Sequence, residues 1–289
     1  MPALSSVGGN LMRRFWAVCL LWLVFSGTGA AAAGYDDFAE GMSAVNAGHA
    51  DRAVKAFTAA LADGDLSPNL VPIAYFQRAR AYMGKGRCDL AHDDLTVSAK
   101  LKADYEDVYL LRAASDECAI DYPAAVADLG QAIALHPMPA TYFGRGRARW
   151  YTSDFAGAAS DFEKGLETAN TKAPYTVLWL ELCRMRAGAL DPARASDDLS
   201  DLDLDGWPAP LFDLFRGRAT PDDVKAAAAK GDTASAAGRQ CEADFYIGEW
   251  WLAKNNNSEA KPLIDAARSG CPHNLVEYRA ATVEFERLK

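Results

Sequence analysis

Histidine is scarce in this chain: His49, His92, His136 and His273 are the only four, and His273 stands near Cys271 at a metal-ligand spacing. Cys271 is better assigned to a disulfide, so no zinc site is expected. Also missing are a glycine loop to cradle a phosphate, a nucleophile elbow and the paired-histidine helix of zinc proteases. Neither a cofactor nor a metal is implied. Basic tracts are absent, and 30 Lys and Arg against 39 Asp and Glu leave a net charge of −9, a poor balance for nucleic acid. No segment alternates apolar and polar residues as a half-buried strand would. Beyond the N-terminal region, no run approaches the roughly 20 apolar residues that a bilayer-spanning helix needs.

What is present starts with Arg13 and Arg14, then eleven uninterrupted apolar residues from Phe15 to Phe25, then small residues from Ser26 to Ala33. That run is too short for a membrane anchor and the alanines suit a peptidase, so residues 1–33 read as a secretory signal peptide, cleaved between about Ala30 and Gly34. A lipid-modified cysteine would follow the apolar run behind a small residue. Cys19 instead has Val18 before it and six apolar residues after it, which favours a soluble periplasmic or secreted product. The segment holds two arginines and no acid, so its removal moves the net charge from −9 to −11. The remaining length suffices for one elongated domain or two compact ones.

Small residues recur within helical patterns. Ala53, Ala91, Ala125, Ala158, Ala195 and Ala260 mark one column. Twelve residues earlier stand Gly41, Ala79, Ala113, Gly146, Cys183 and Gly248, and four residues later Phe57, Leu95, Leu129, Phe162, Leu199 and Ile264. A small residue at such an offset lets two antiparallel helices approach closely, and a large one fills space between hairpins. The spacings between marker alanines are 38, 34, 33, 37 and 65, so the last gap holds about one additional, degenerate unit.

The segments from Tyr75 to Tyr82 and from Tyr142 to Ala148, the turn residues Asp121-Tyr122 and Asp154-Phe155, and the exit His136-Pro137 together resemble the tetratricopeptide repeat, whose unit is two helices in about 34 residues. The resemblance implies an all-α chain, a right-handed superhelical solenoid of helix-turn-helix hairpins. Five such units are expected over 34–205, a degenerate helical segment and loop over 206–240, and a final unit over 241–289. Thr220-Pro221-Asp222-Asp223 reads as an N-cap with proline and acids in the first turn, while Gly231 to Gly238 reads as a loop. Asn274 to Leu288 should form a capping helix.

Hairpin geometry also bears on the cysteines. Cys88 and Cys118, like Cys241 and Cys271, are thirty residues apart, and antiparallel packing brings each pair to one end of its hairpins. Disulfides at both positions suit an oxidising compartment, and each would stabilise by about 3 to 4 kcal/mol if unstrained. Cys183 occupies the small-residue column and reads as a buried hydrophobe rather than a nucleophile.

In this repeat family the first helices line a concave groove that takes partner peptides. On that implied face fall Phe76, Arg80, Met83, Leu110, Phe143, Arg147, Trp150 and Arg184, aromatic surface beside arginine of the kind enriched at protein hot spots. An extended peptide with a carboxylate is the implied guest; the alternative is that these side chains pack against neighbouring helices or a folded-back C-terminal segment. Leu178-Trp179-Leu180, Phe245 to Gly248 and His273 to Arg279 further resemble the C-terminal half of bacterial envelope lipoproteins that are repeat adaptors, over roughly residues 175–289. Those relatives scaffold a periplasmic protease and peptidoglycan hydrolases, so the resemblance implies a non-catalytic scaffold for client proteins in the cell envelope. Two rivals stand beside it: a peptidoglycan hydrolase using acids between Asp197 and Asp205, and a chaperone or assembly factor for an exported complex. A solvated acidic face is the simpler reading of that carboxylate run.

Overall fold

The computed structural model of the chain describes residues 30–170, 172–191, 202, 204–230 and 233–289. The expected signal segment lies outside them almost entirely, as do Ala195, Leu199 and most of the acidic run, Asp197, Asp198, Asp201 and Asp203. Every regular element among the described residues is a helix. Contacts divide the chain into two compact units, one ending at Ala119 and one beginning at Ile120.

The first unit contains α1 (Ala30–Asn46), α2 (Ala50–Ala62), α3 (Val71–Gly84), α4 (Cys88–Leu101) and α5 (Glu106–Cys118). Pairs α1/α2 and α3/α4 are hairpins, and α5 packs beside α4. The second unit contains α6 (Tyr122–Leu135), α7 (Pro139–Tyr151), α8 (Phe155–Ala169), α9 (Pro174–Arg186), α10 (Ala209–Phe215), α11 (Pro221–Ala228), α12 (Thr233–Ala253), α13 (Asn257–Gly270) and α14 (Val276–Arg287). Its hairpins are α7/α8 and α12/α13, and α14 packs on α13.

The repeating columns meet inside each hairpin. A Cβ placed on Gly41 would lie 2.8 Å from the Phe57 ring, on Gly146 3.0 Å from Phe162, and on Gly248 2.7 Å from Ile264. The large residue of the second helix thus sits over the small residue of the first, rather than only filling space between hairpins. Ala53, Ala91, Ala125, Ala158 and Ala260 are fully buried, which sets the close approach from the other side. At Gly146 the added atom would also come within 3.3 Å of the Ala158 carbonyl, which a side-chain movement cannot relieve. Gly146→Val should therefore destabilise the second unit by about 1–3 kcal/mol, read as a lowered urea midpoint.

The turn residues act as N-caps. Asp121 accepts from the Ala124 amide and Asp154 from the Gly157 amide, and Thr220 forms a capping box with Asp223 at the start of α11. One expectation is corrected here: within the stretch expected as a loop, residues from Thr233 onward are helical, and Cys241 lies well inside α12 rather than at its start. The alanines of this stretch favour helix over loop. Arg239 on α12 also donates to the Ala228 carbonyl at 3.1 Å, so the C-terminus of α11 and the first turns of α12 stabilise each other.

A further pair of columns holds the hairpins together. Arg78 grips Asp94 through two bonds of 2.7 Å, and Arg145 grips Asp161 at 2.9 and 2.6 Å. Both pairs span sixteen residues. They stand one residue before the small marker and three after the marker alanine, a regularity present in the sequence as opposite charges at fixed offset.

Candidate functional site

In the first unit a cleft of 550 Å³ lies between α3 and α5. Phe76, Gln77 and Arg80 line it from α3, and Tyr105, Asp107, Leu110, Leu111 and Ala114 from the start and body of α5. The α5 positions recur at i, i+3, i+4 and i+7, one helical face. Phe76 is buried to 7% exposure, and its ring meets Tyr105 at 5.0 Å between centroids. Burial, then the Asp107 charge, push the Tyr105 phenol above its ordinary pKa, and Arg80 opposes them.

Arg80 is the exposed cation of this cleft. Its Nη1 donates to Gln77 Oε1 at 2.9 Å, and no carboxylate among the described residues pairs with it. The contrast with Arg78, two positions earlier and held by Asp94, is physical: one arginine is spent on the hairpin and the other projects beside aromatic surface. Leu110 is half-buried on the opposite wall, while Met83 packs against the α3/α4 core and does not line the cleft. Of the residues singled out by sequence, Phe76, Arg80 and Leu110 come together. Ala114, in the same column as Arg80, joins them; Gln77, Tyr105, Asp107 and Leu111 are additional, and the i, i+3, i+4, i+7 series from Asp107 was the available signal for four of the five lining positions on α5.

The corresponding residues of the second unit have a different setting. Trp150 is fully buried, with Trp179 at 5.5 Å, Phe245 at 6.0 Å and Phe155 at 6.1 Å. From α14, the Arg287 guanidinium lies 5.2 Å from its ring centroid and donates to the carbonyls of Trp150 and Tyr151 at 2.9 and 2.6 Å. The C-terminal helix therefore covers this position. Arg184 is also buried, its guanidinium 2.8 Å from Glu163. The Phe143 ring occupies the space above Gly165, where a Cβ would come within 2.2 Å of it. Trp150 and Arg184 therefore pack inside the second unit, and Phe143 is half-buried against α8. Arg147 is half-exposed and without a hydrogen bond or ion pair among the described residues.

Both cysteine pairs are joined, Cys88 to Cys118 and Cys241 to Cys271. Cys183 is buried, and burial, then the neighbouring Glu249, push its thiol well above the ordinary range, a setting that keeps a thiol inert. No group of three His, Cys, Asp or Glu side chains suited to a metal ion occurs among the described residues. No helix among them is long and apolar enough to cross a membrane.

No family model matches the chain. Among curated proteins it is 27% identical over 227 residues to a lipoprotein NlpI homolog of Haemophilus influenzae, covering 74% of this chain and 69% of the relative. That similarity reaches beyond the distal region in which the sequence resemblance was first apparent. Among solved structures, a tetratricopeptide repeat protein from Parabacteroides merdae superposes with a TM-score of 0.58 at 15% identity, over 87% of this chain and 98% of that one. MamA gives a TM-score of 0.51 at 19% identity, over 60% of this chain and 98% of its own. At these identities the superpositions speak for architecture alone, and the architecture agrees with the packed small and large columns. The chain thus has the tetratricopeptide-repeat fold and is similar in sequence to a bacterial lipoprotein.

Proposed function

We propose that the protein is a non-catalytic adaptor of the bacterial cell envelope, exported by its N-terminal segment, and that the cleft between α3 and α5 docks an extended segment of a client protein. Envelope proteases or peptidoglycan hydrolases are the client classes that the lipoprotein resemblance suggests. The observation that carries the reading is Arg80: an exposed guanidinium with no acidic partner among the described residues, beside the apolar surface of Phe76, Tyr105 and Leu110. Such a site suits a segment that seats an apolar side chain against the rings and offers a carboxylate to the arginine.

Peptides differing only in whether they carry that carboxylate test the reading directly by fluorescence anisotropy. The acidic form should bind more tightly, and Arg80→Glu should reduce its affinity about tenfold or more, the loss of a charge-assisted hydrogen bond of ~1.5–3 kcal/mol. The melting temperature should stay unchanged, because Arg80 holds no ion pair among the described residues. Equal binding by wild type and Arg80→Glu would remove the cleft from consideration, and turnover of purified peptidoglycan by the chain would favour the hydrolase reading instead.

A further inference from the structure

The two disulfides share a spacing but not an environment. Cys241 and Cys271 are 3% and 5% exposed, inside the core of the second unit. Cys88 is similarly buried at 7%, whereas Cys118 is exposed at the last position of α5. Thiol–disulfide exchange requires a thiolate to reach one sulfur while the other departs, so access to one sulfur is the first condition. Only the Cys88–Cys118 pair meets it.

Helix ends give the exchange a direction. Cys88 opens α4, where the helix dipole favours negative charge. Cys118 closes α5, where the helix dipole disfavours negative charge. The exposed residue thus carries the sulfur that is attacked, and the buried one, at the helix start, the sulfur that leaves. We propose that the Cys88–Cys118 bridge is a thiol–disulfide exchange site, entered at the Cys118 sulfur by an external dithiol, while Cys241–Cys271 is a closed structural bridge.

In the first step a thiolate of the dithiol bonds to Cys118 Sγ, the Sγ–Sγ bond breaks, and its electron pair leaves on Cys88 Sγ, which takes a proton. The second thiol of the reagent loses its proton and attacks its own partner sulfur in the mixed disulfide, releasing Cys118 as a thiolate that is then protonated. The protein gains two electrons and two protons, and the dithiol becomes a disulfide. Opening leaves α4 and α5 joined. His92 Nδ1 lies 2.6 Å from Asp116 Oδ1 across the same helix pair, and Val108 of α5 packs with Ala91 and Leu95 of α4 in one core cluster. The exchange is therefore local and reversible.

Dithiothreitol is the probe for the rate, with acid quenching, differential alkylation and peptide mass mapping of the intact chain. Cys88 and Cys118 should become alkylatable at least about tenfold faster than Cys241 and Cys271, at a rate proportional to dithiothreitol and with unchanged far-ultraviolet circular dichroism. With glutathione as a monothiol probe, the trapped adduct should sit on Cys118. Four outcomes would each overturn the proposal: both bridges opening together, a rate that plateaus with reagent because unfolding limits it, no opening in the folded protein, or an adduct on Cys88.

Discussion

Replacing Phe57 by alanine should lower the stability of the first unit by about 3–5 kcal/mol, the range for deleting a fully buried phenylalanine. The ring is 0% exposed, stands over Gly41 at a distance that leaves no room for a Cβ, and meets Phe38 edge-on at 5.7 Å. Glycine forms the floor of the space that the ring vacates, so no neighbouring side chain on that face can rotate in to fill it. The cost should accordingly fall toward the upper part of the range. Phe57→Leu, which keeps most of the volume, should cost markedly less. Urea denaturation followed by circular dichroism measures both, and a shift for Phe57→Ala no larger than that for Arg80→Glu would contradict the assignment of the ring to the hairpin core.

That contrast between Phe57 and Arg80 also indicates what a sequence of this kind discloses. Helical periodicity and the small-residue columns were legible because they arise within one hairpin, between residues sixteen apart such as Gly41 and Phe57. The cysteine pairs were legible for the same reason, since antiparallel helices fix where their ends meet. Trp150 and Arg184 were not. Local spacing places them on the face of a first helix, but what lies over that face is decided by distant chain: Arg287, 137 residues further on, reaches the Trp150 carbonyl. Helical spacing carries no record of that contact. Arg80 stays exposed and unpaired among the described residues where Arg184 is buried against Glu163, a property of the fold rather than of the residue or its column.

The second unit should be more stable in mild acid than at pH 8, because of a buried cluster between α9, α12 and α14. Arg186 of α9 is bonded to Glu249 of α12 and lies 3.3 Å from Glu284 of α14, to which Arg287 is also bonded. Glu249 is 0% exposed, and its Oε1 has no hydrogen-bond partner among the described residues. Burial, then the Glu284 charge, raise its pKa from 4.5 to about 8, against the opposing pull of Arg186 and Arg287; Cys183 is the other titratable group beside it. A carboxyl whose folded pKa lies above its unfolded value keeps a proton in the native state that the unfolded chain has released. Stability is then greatest below the unfolded pKa and falls as pH rises through the window from about 4.5 to about 8. Burial pushes the Glu277 carboxyl upward as well, with the same sign. Between pH 5 and pH 8 the loss should be roughly 2–4 kcal/mol, read as a falling melting temperature. Glu249→Gln keeps the shape but cannot ionise, so it should flatten most of that slope and melt higher than wild type at pH 8. Arg186→Ala, which strands the carboxylates, should instead cost about 3–5 kcal/mol. If Glu249→Gln retains the full pH dependence of the wild type, the buried proton is not on Glu249 and this account of the cluster fails.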